Sequence, residues 1–311
     1  MLSVQAAEQP TIYFIGVTTE KSSIMKVFPK WAKALGLDAV IRGIDLRLHA
    51  DPEEYREVVA FIKEDPLSLG ALVTTHKIDL YQACKDMFDY LDPFALKLGE
   101  LSSISKKDGK LCGHAKDPIS SGLALENFVP ENYWKEHGGD VLLMGAGGSS
   151  LAMSLYLGQE KFGENVPKKI IISNRSIPRL QSAERLLKGL NPNIQLEYIH
   201  APEAKDNDRI VASLKPYSLI VNATGLGKDA PGSPVTDACI FPENSLIWEI
   251  NYRGDLLFKR QAEKQAAEKG LHIEDGWIYF IHGWTQVIEE VFHLDNIASW
   301  IPELSEIARQ I

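Results

Sequence analysis

The sequence predicts an α/β fold in two parts, an N-terminal mixed α/β domain and a domain built on a parallel sheet, and three observations carry that prediction. Strand-like and helix-like apolar patterns alternate along almost all of the 311 residues, as in a mostly parallel sheet with crossover helices. Residues 141–144 form a continuous apolar run that leads into Gly145-Ala146-Gly147-Gly148, as expected of a strand covered on both faces. Within residues 101–113, Ser-Ile-Ser, Lys-Asp-Gly-Lys and Leu-Cys-Gly give a hairpin signature with Asp108-Gly109 in its turn.

In chain order, residues 11–17 read as a strand, 23–35 as an amphipathic helix, 39–45 as a strand, 52–64 as a helix and 70–74 as a third strand. The hairpin closes this half, and a helical pattern over 119–128 leads out of it. After strand 141–144, Ser149 and Ser150 open a helix carrying Leu151, Met153, Leu155 and Leu157. Further strands are expected at 169–173, 194–200, 218–222 and 246–250. Residues 277–293 and 296–310 read as two terminal helices whose apolar faces return to the first domain. The expected division is therefore residues 1–120 completed by 278–311, with 121–277 as the second domain.

Composition bounds the function. Hydrophobic residues make up 45% and charged residues 24%, an ordinary globular balance with enough chain for two cores. A net charge of −9 argues against a nucleic-acid surface. Cys84, Cys112 and Cys239 are far apart and lack metal-ligand spacing, so buried thiols and no metal site are expected. No run of eighteen apolar residues exists, and MLSVQAAEQP has neither the cationic start nor the apolar core of a signal peptide. A cytoplasmic protein without a membrane partner is the expectation, as monomer or homodimer.

The glycine turn carries the first chemical inference. Glycines there let backbone N–H groups approach a pyrophosphate without Cβ obstruction, and Ser149 starts the helix whose N-terminus favours an anion. The next strand ends at Asn174-Arg175-Ser176, with Arg179 one turn further on. An acidic residue at that tip would bind the ribose 2′-hydroxyl of NAD, whereas Arg accommodates the 2′-phosphate of NADP. The stretch therefore reads as the first βαβ unit of a Rossmann-type domain, with NADP expected in preference to NAD.

Polar residues also collect where the other strands end: Thr75, His76 and Lys77 after 70–74, then His114, Lys116 and Asp117 after the hairpin, then Thr224-Gly225 after 218–222. In this order they resemble the shikimate dehydrogenase family along nearly the whole chain. Val73-Thr74-Thr75-His76-Lys77 is similar to the family's motif ending in a catalytic Lys, with Thr75 in place of the usual Pro. Asp117 in Gly113-His114-Ala115-Lys116-Asp117 falls where the family has its catalytic Asp. The resemblance extends to the turn Gly145, Ala146, Gly147, Gly148 and Ser149, to the NADP-recognition residues Asn174, Arg175, Ser176 and Arg179, and to Asn222-Ala223-Thr224 beside the nicotinamide. Tyr252 and Gly276 complete the set.

The resemblance implies hydride transfer between NADPH and a carbonyl carbon of a cyclic polyol acid, with Lys77 and Asp117 flanking the reacting oxygen. An ammonium placed at developing oxyanion charge stabilises the transition state more than the ground state. Read without the resemblance, Asp117-Pro118 is equally a helix N-cap followed by Pro at N1.

The substrate positions depart from the family. Ser22 aligns with the first Ser of the pair that holds the substrate carboxylate, but Ile24 takes the second place, with Ser23 beside it. Ala71 and Ser102 stand where the family has ring-binding asparagines, and Val73 where it has Thr, with Thr74 adjoining it. Gly283 stands where the family has Gln, with His282 and Gln286 near it, and Trp277 replaces a smaller apolar residue. Each lost partner costs about 1 to 3 kcal/mol in a buried site. A related polyol or cyclitol ketone is therefore expected rather than shikimate. Two alternatives stay open: an authentic shikimate or quinate dehydrogenase with a rebuilt pocket, and a catalytically silent metabolite-binding regulator.

Overall fold

The computed structural model describes residues 6–228 and 230–311, so the first five residues of the N-terminal decapeptide considered above lie outside the described residues. Two compact units result, one from described residues of Met1–Lys116 with Ile281–Ile311, the other from those of Asp117–Phe280.

The first unit holds a six-stranded sheet of β1 (Thr11–Gly16), β2 (Val40–Asp45), β3 (Ser68–Val73), β4 (Tyr90–Leu91), β5 (Ser103–Lys107) and β6 (Lys110–His114), in the spatial order β2-β1-β3-β5-β6-β4. The strands pair in parallel from β2 to β3, β5 then pairs antiparallel with both β3 and β6 as the first arm of the hairpin, and β4 pairs in parallel with β6. Asp108 and Gly109 both have positive φ (51° and 74°), the backbone that a two-residue hairpin turn demands and that Asp-Gly supplies. Helix Pro52–Glu64 starts at a capping box in which Asp51 and Glu54 bond each other's backbone N–H groups, with Pro52 fitting the first turn. Helix Ile24–Leu35 ends at Gly36 in the left-handed region.

The C-terminal segment belongs to this unit's core. Trp31 is fully buried and donates its indole N–H to the Leu304 carbonyl at 2.8 Å, while Phe14 packs edge-on against Trp284 and Phe28 stacks on Phe292. The sequence pattern suggests one helix over 296–310. Instead Asn296 takes φ 60°, a single 3-10 turn follows at Ile297–Trp300, and the α-helix runs only over Ile301–Arg309. Pro302 explains the restart, because a residue without an N–H is suited to the first turn of a helix and not to its interior.

The second unit has six strands, all parallel: β7 (Val141–Met144), β8 (Lys169–Asn174), β9 (Gln195–His200), β10 (Leu219–Asn222), β11 (Leu246–Glu249) and β12 (His272–Glu274). Their spatial order is β9-β8-β7-β10-β11-β12. Numbered from β7 this is 3-2-1-4-5-6, the doubly wound Rossmann order, with its reversal between β7 and β10. Strands β7 and β10 are buried throughout, in keeping with their unbroken apolar runs.

One position in the first sheet fixes a residue type. Gly70 sits in β3 at φ +147°, and a Cβ there would lie 2.2 Å from the Ile104 carbonyl oxygen. Gly70→Ala is expected to lower the unfolding free energy by about 2 to 4 kcal/mol, the combined cost of strain and overpacking, as measured by urea denaturation.

Candidate functional site

At the topological reversal the strand ends of the second unit open into a cleft of about 570 Å³. Four successive strand exits line it: Gly145, Ala146 and Gly147 after β7, Asn174, Arg175 and Ser176 after β8, Ala201, Pro202 and Glu203 after β9, and Ala223 to Leu226 after β10. Gly145 has φ +118°, and a Cβ on it would meet the Ala223 carbonyl oxygen at 2.5 Å. Only glycine lets the β7 turn and the β10 loop come this close. Gly147 precedes helix Gly148–Leu157, which therefore presents its N-terminus at the turn. Ser150 fixes that junction by donating to the Gly145 carbonyl at 2.6 Å.

The tip of β8 is shaped by Asn174, whose side chain accepts from the Ser176 N–H at 2.8 Å and turns the chain. Arg175 and Arg179 are exposed and both border the cleft. Among the described residues no carboxylate lies at this tip. Glu203, three residues beyond β9, is among the described residues the acidic one lining the cleft, and its carboxylate pairs with Lys205 at 2.6 Å.

Other expected cofactor residues stand behind the cleft wall. Asn222 is buried with its polar atoms engaged: its Oδ1 accepts from the Thr224 N–H and hydroxyl at 3.0 and 2.6 Å, and its Nδ2 donates to Glu249 at 2.7 Å. Gly148 and Ser149 lie one step into the helix, outside the lining itself. Gly276 is buried, and a Cβ there would overlap the Ile250 carbonyl. Tyr252 is half-buried in an aromatic cluster, with ring centroids 4.5 Å from Phe280 and 6.1 Å from Trp277.

In the first unit, the end of β3 carries an unusual turn. Thr75 is exposed at φ 57°, a region that β-branched residues rarely adopt, and helix Lys77–Cys84 begins two residues later. His76 turns inward, buried, with Nδ1 3.0 Å from the Tyr55 hydroxyl, while Lys77 is half-buried at the helix start. The loop after β1 is tied down by Asp45, which accepts from the Thr19 N–H at 2.8 Å and its hydroxyl at 2.6 Å. That tie sets the backbone of Ser22 and Ser23, both half-buried, just before helix Ile24–Leu35.

Where the family has polar groups, Ile24, Ala71 and Val73 are here fully buried apolar residues. Ser102 is buried and its hydroxyl accepts from the Lys116 N–H at 2.7 Å. Gln286 is buried on helix Trp277–Phe292 and donates to Glu289 at 3.0 Å. Asp117 is half-buried and opens helix Asp117–Glu126 as its first residue.

Sequence reasoning missed a charged network at the end of β6. Lys116 donates to Glu290 in a short contact, His114 Nε2 lies 3.2 Å from the other Glu290 oxygen, and His114 Nδ1 lies 3.8 Å from Asp92. Burial would raise the Glu290 carboxyl, but the Lys116 hydrogen bond and charge outweigh it, so it sits below its ordinary value. Burial likewise pushes the His114 imidazole down, with Glu290 opposing. The sequence signals were His114 and Lys116 alone, because Glu290 lies 174 positions from Lys116.

All three cysteines are buried. Among the described residues no group of His, Cys, Asp or Glu could hold a metal ion, and no helix is long and apolar enough to cross a membrane.

No family model matches the chain. A shikimate dehydrogenase (NADP(+)) of Bacillus cereus strain AH187 is 25% identical over 244 residues, covering 77% of this chain and 79% of that protein. Among solved structures, a quinate dehydrogenase from Corynebacterium glutamicum in complex with NAD superposes with a TM-score of 0.73 at 19% identity, covering 97% of this chain and 99% of that one. The ligand-free 5-ketofructose reductase of Gluconobacter sp. strain CHM43 gives 0.71 at 17% identity, with coverages of 97% and 99%. These two structural likenesses are likenesses of fold.

The Gly145 contact generates a direct expectation. Gly145→Ala should weaken NADPH binding by at least about tenfold, read as nicotinamide fluorescence during titration, because the added methyl must displace the Ala223 backbone.

Proposed function

We propose that this shikimate dehydrogenase-like chain is an NADP-dependent oxidoreductase that moves a hydride between the cofactor and a secondary alcohol or ketone of a cyclic polyol. The observation that carries this reading is the cleft at the β7/β10 reversal, where a glycine turn faces a helix N-terminus and two arginines flank the β8 tip. The residues fit the group. Ala146 and Gly147 offer backbone N–H groups for a pyrophosphate, the Gly145 N–H being donated to the Ser173 carbonyl at 2.8 Å, and Arg175 and Arg179 supply cations for a 2′-phosphate where NAD would call for a carboxylate.

When bound, the nicotinamide supplies the hydride acceptor or donor. The chain's own residues manage the proton. Lys77 takes the hydroxyl proton as the carbonyl forms and returns it in reduction, its ammonium stabilising oxyanion charge in the transition state. Asp117 is assigned, on the resemblance, as the second catalytic residue, and Tyr252, Ser22, Ser23, Thr75, Ser102 and Gln286 as substrate contacts.

The substrate is proposed to be a polyol or cyclitol other than shikimate. Supporting this, the side chains of Ile24, Ala71 and Val73 offer no hydrogen bonds where shikimate dehydrogenases have them. The sequence likeness to the Bacillus cereus enzyme favours the second reading, an authentic shikimate or quinate dehydrogenase with a rebuilt pocket. A silent metabolite-binding regulator would have no need of both Lys77 and the NADP-type arginines.

Lys77→Ala is expected to lower turnover by about 10²- to 10⁴-fold while leaving NADPH binding intact, measured by steady-state kinetics and titration side by side. Turnover of shikimate, quinate and a panel of cyclitols by the unaltered protein decides the substrate. Preference for a non-shikimate compound is the expected outcome, and preference for shikimate would establish the second reading.

A further inference from the structure

Behind the cleft wall lies a carboxylate that the proposed reaction does not use. Glu249, the last residue of β11, is fully buried. Its Oε2 accepts from Asn222 Nδ2 at 2.7 Å, and its Oε1 accepts from the Asn251 backbone N–H at 2.9 Å and from Asn251 Nδ2 at 2.6 Å. The two asparagines in turn grip the loop after β10. Asn222 Oδ1 receives the Thr224 N–H, which can only donate, so Nδ2 is the atom that faces Glu249. Asn222 Nδ2 also reaches the Leu226 carbonyl at 3.2 Å, and Asn251 Nδ2 the Thr224 carbonyl at 3.2 Å. Thr224 closes the loop by accepting from the Leu226 N–H at 3.2 Å.

We infer that Glu249 is a positioning residue for the cofactor: through Asn222 and Asn251 its carboxylate holds the Ala223–Leu226 wall of the cleft in its binding shape. This rests on the NADP reading of that cleft. The wall contains the Ala223 carbonyl that Gly145 approaches, so a shift of the loop would move the glycine turn as well.

The network has a protonation requirement. All three partners of Glu249 are donors, so only the ionised carboxylate, which accepts and does not donate, satisfies them together. Burial pushes this carboxyl up to about 7, against the three hydrogen bonds that pull it down, and Asp275 adds to the rise. Charged groups on the elements around it are Lys259, Arg260 and Glu263 of helix Leu257–Glu263, Asp275, paired with Lys259 at 3.1 Å, and Glu274, 2.9 Å from His272. Because the raised value lies above that of an unfolded Glu, the folded protein keeps the proton over a window in which the unfolded chain has lost it. Below that value the acid O–H confronts a donor and one tie to the loop is lost. Cofactor affinity should therefore fall as pH drops through about 7.

The test is NADPH titration of the full chain and of Glu249→Gln from about pH 8.5 down to about pH 6, a range that brackets the transition. The Gln amide sets its own donors against the network much as the protonated acid does. The variant should bind about tenfold more weakly at high pH and as well as the unaltered protein at low pH. Titration of the 2′-phosphate is common to both proteins and cancels in their ratio. A ratio that stays constant with pH, or that is near one throughout, would overturn the inference.

Should the variant not fold, hydrogen exchange of the unaltered protein decides. Protection of the Thr224 and Leu226 amides, corrected for intrinsic rates, should fall about tenfold over the same range. Unchanging protection refutes the role. If neither protein binds NADPH at any pH, the NADP reading fails, while the exchange result still judges Glu249.

Discussion

The second unit depends on one backbone approach, that of Gly145 to the Ala223 carbonyl oxygen. The doubly wound order makes β7 and β10 neighbours although their helices leave in opposite senses, so the turn after one and the loop after the other must share the space above their ends. A side chain at position 145 would force them apart. With none, the glycine turn, the start of helix Gly148–Leu157 and the β10 loop form one continuous wall. The buried Glu249 network sets the far side of that wall, linking sheet, loop and cleft through a few hydrogen bonds.

In the first unit the corresponding constraint is steric and polar at once. Asp45 and Thr19 pin the loop after β1, and the left-handed Thr75 sets the chain between β3 and the helix that begins at Lys77. The residues around these fixed points are apolar where a hydroxyl-rich acid would need partners. Charge reappears in the Lys116–Glu290–His114 network, whose buried and half-buried members compensate one another. The proposed specificity, for a substrate with a different arrangement of polar groups, rests on these positions.

Much of the architecture was legible because it is written in local pattern. The run Val141–Met144, the hairpin turn Asp108-Gly109 and the helix Pro52–Glu64 declare themselves through periodicity and turn chemistry. Short elements did not. Strand β4 has two residues and helix Pro93–Leu98 six, too few for a period to show. The expected divisions at 120/121 and 277/278 compare with observed ones at 116/117 and 280/281, since helices Asp117–Glu126 and Trp277–Phe292 run through those regions without a change of composition. Within the cleft, the glycine turn and the β8 tip could be read from spacing. Glu249, Asn251 and Glu290 could not, because their roles arise from contacts between elements distant in sequence and each alone is an ordinary polar residue.

The central claim is that the cleft at the β7/β10 reversal is an NADP site. Equilibrium titration of the purified chain with NADPH and NADH tests it most directly, since the two ligands differ only in the 2′-phosphate that Arg175 and Arg179, both lining the cleft, are proposed to meet. NADPH binding at least about tenfold tighter, with the gap narrowing as salt rises, is the predicted result. Equal affinities, or tighter binding of NADH, would contradict it.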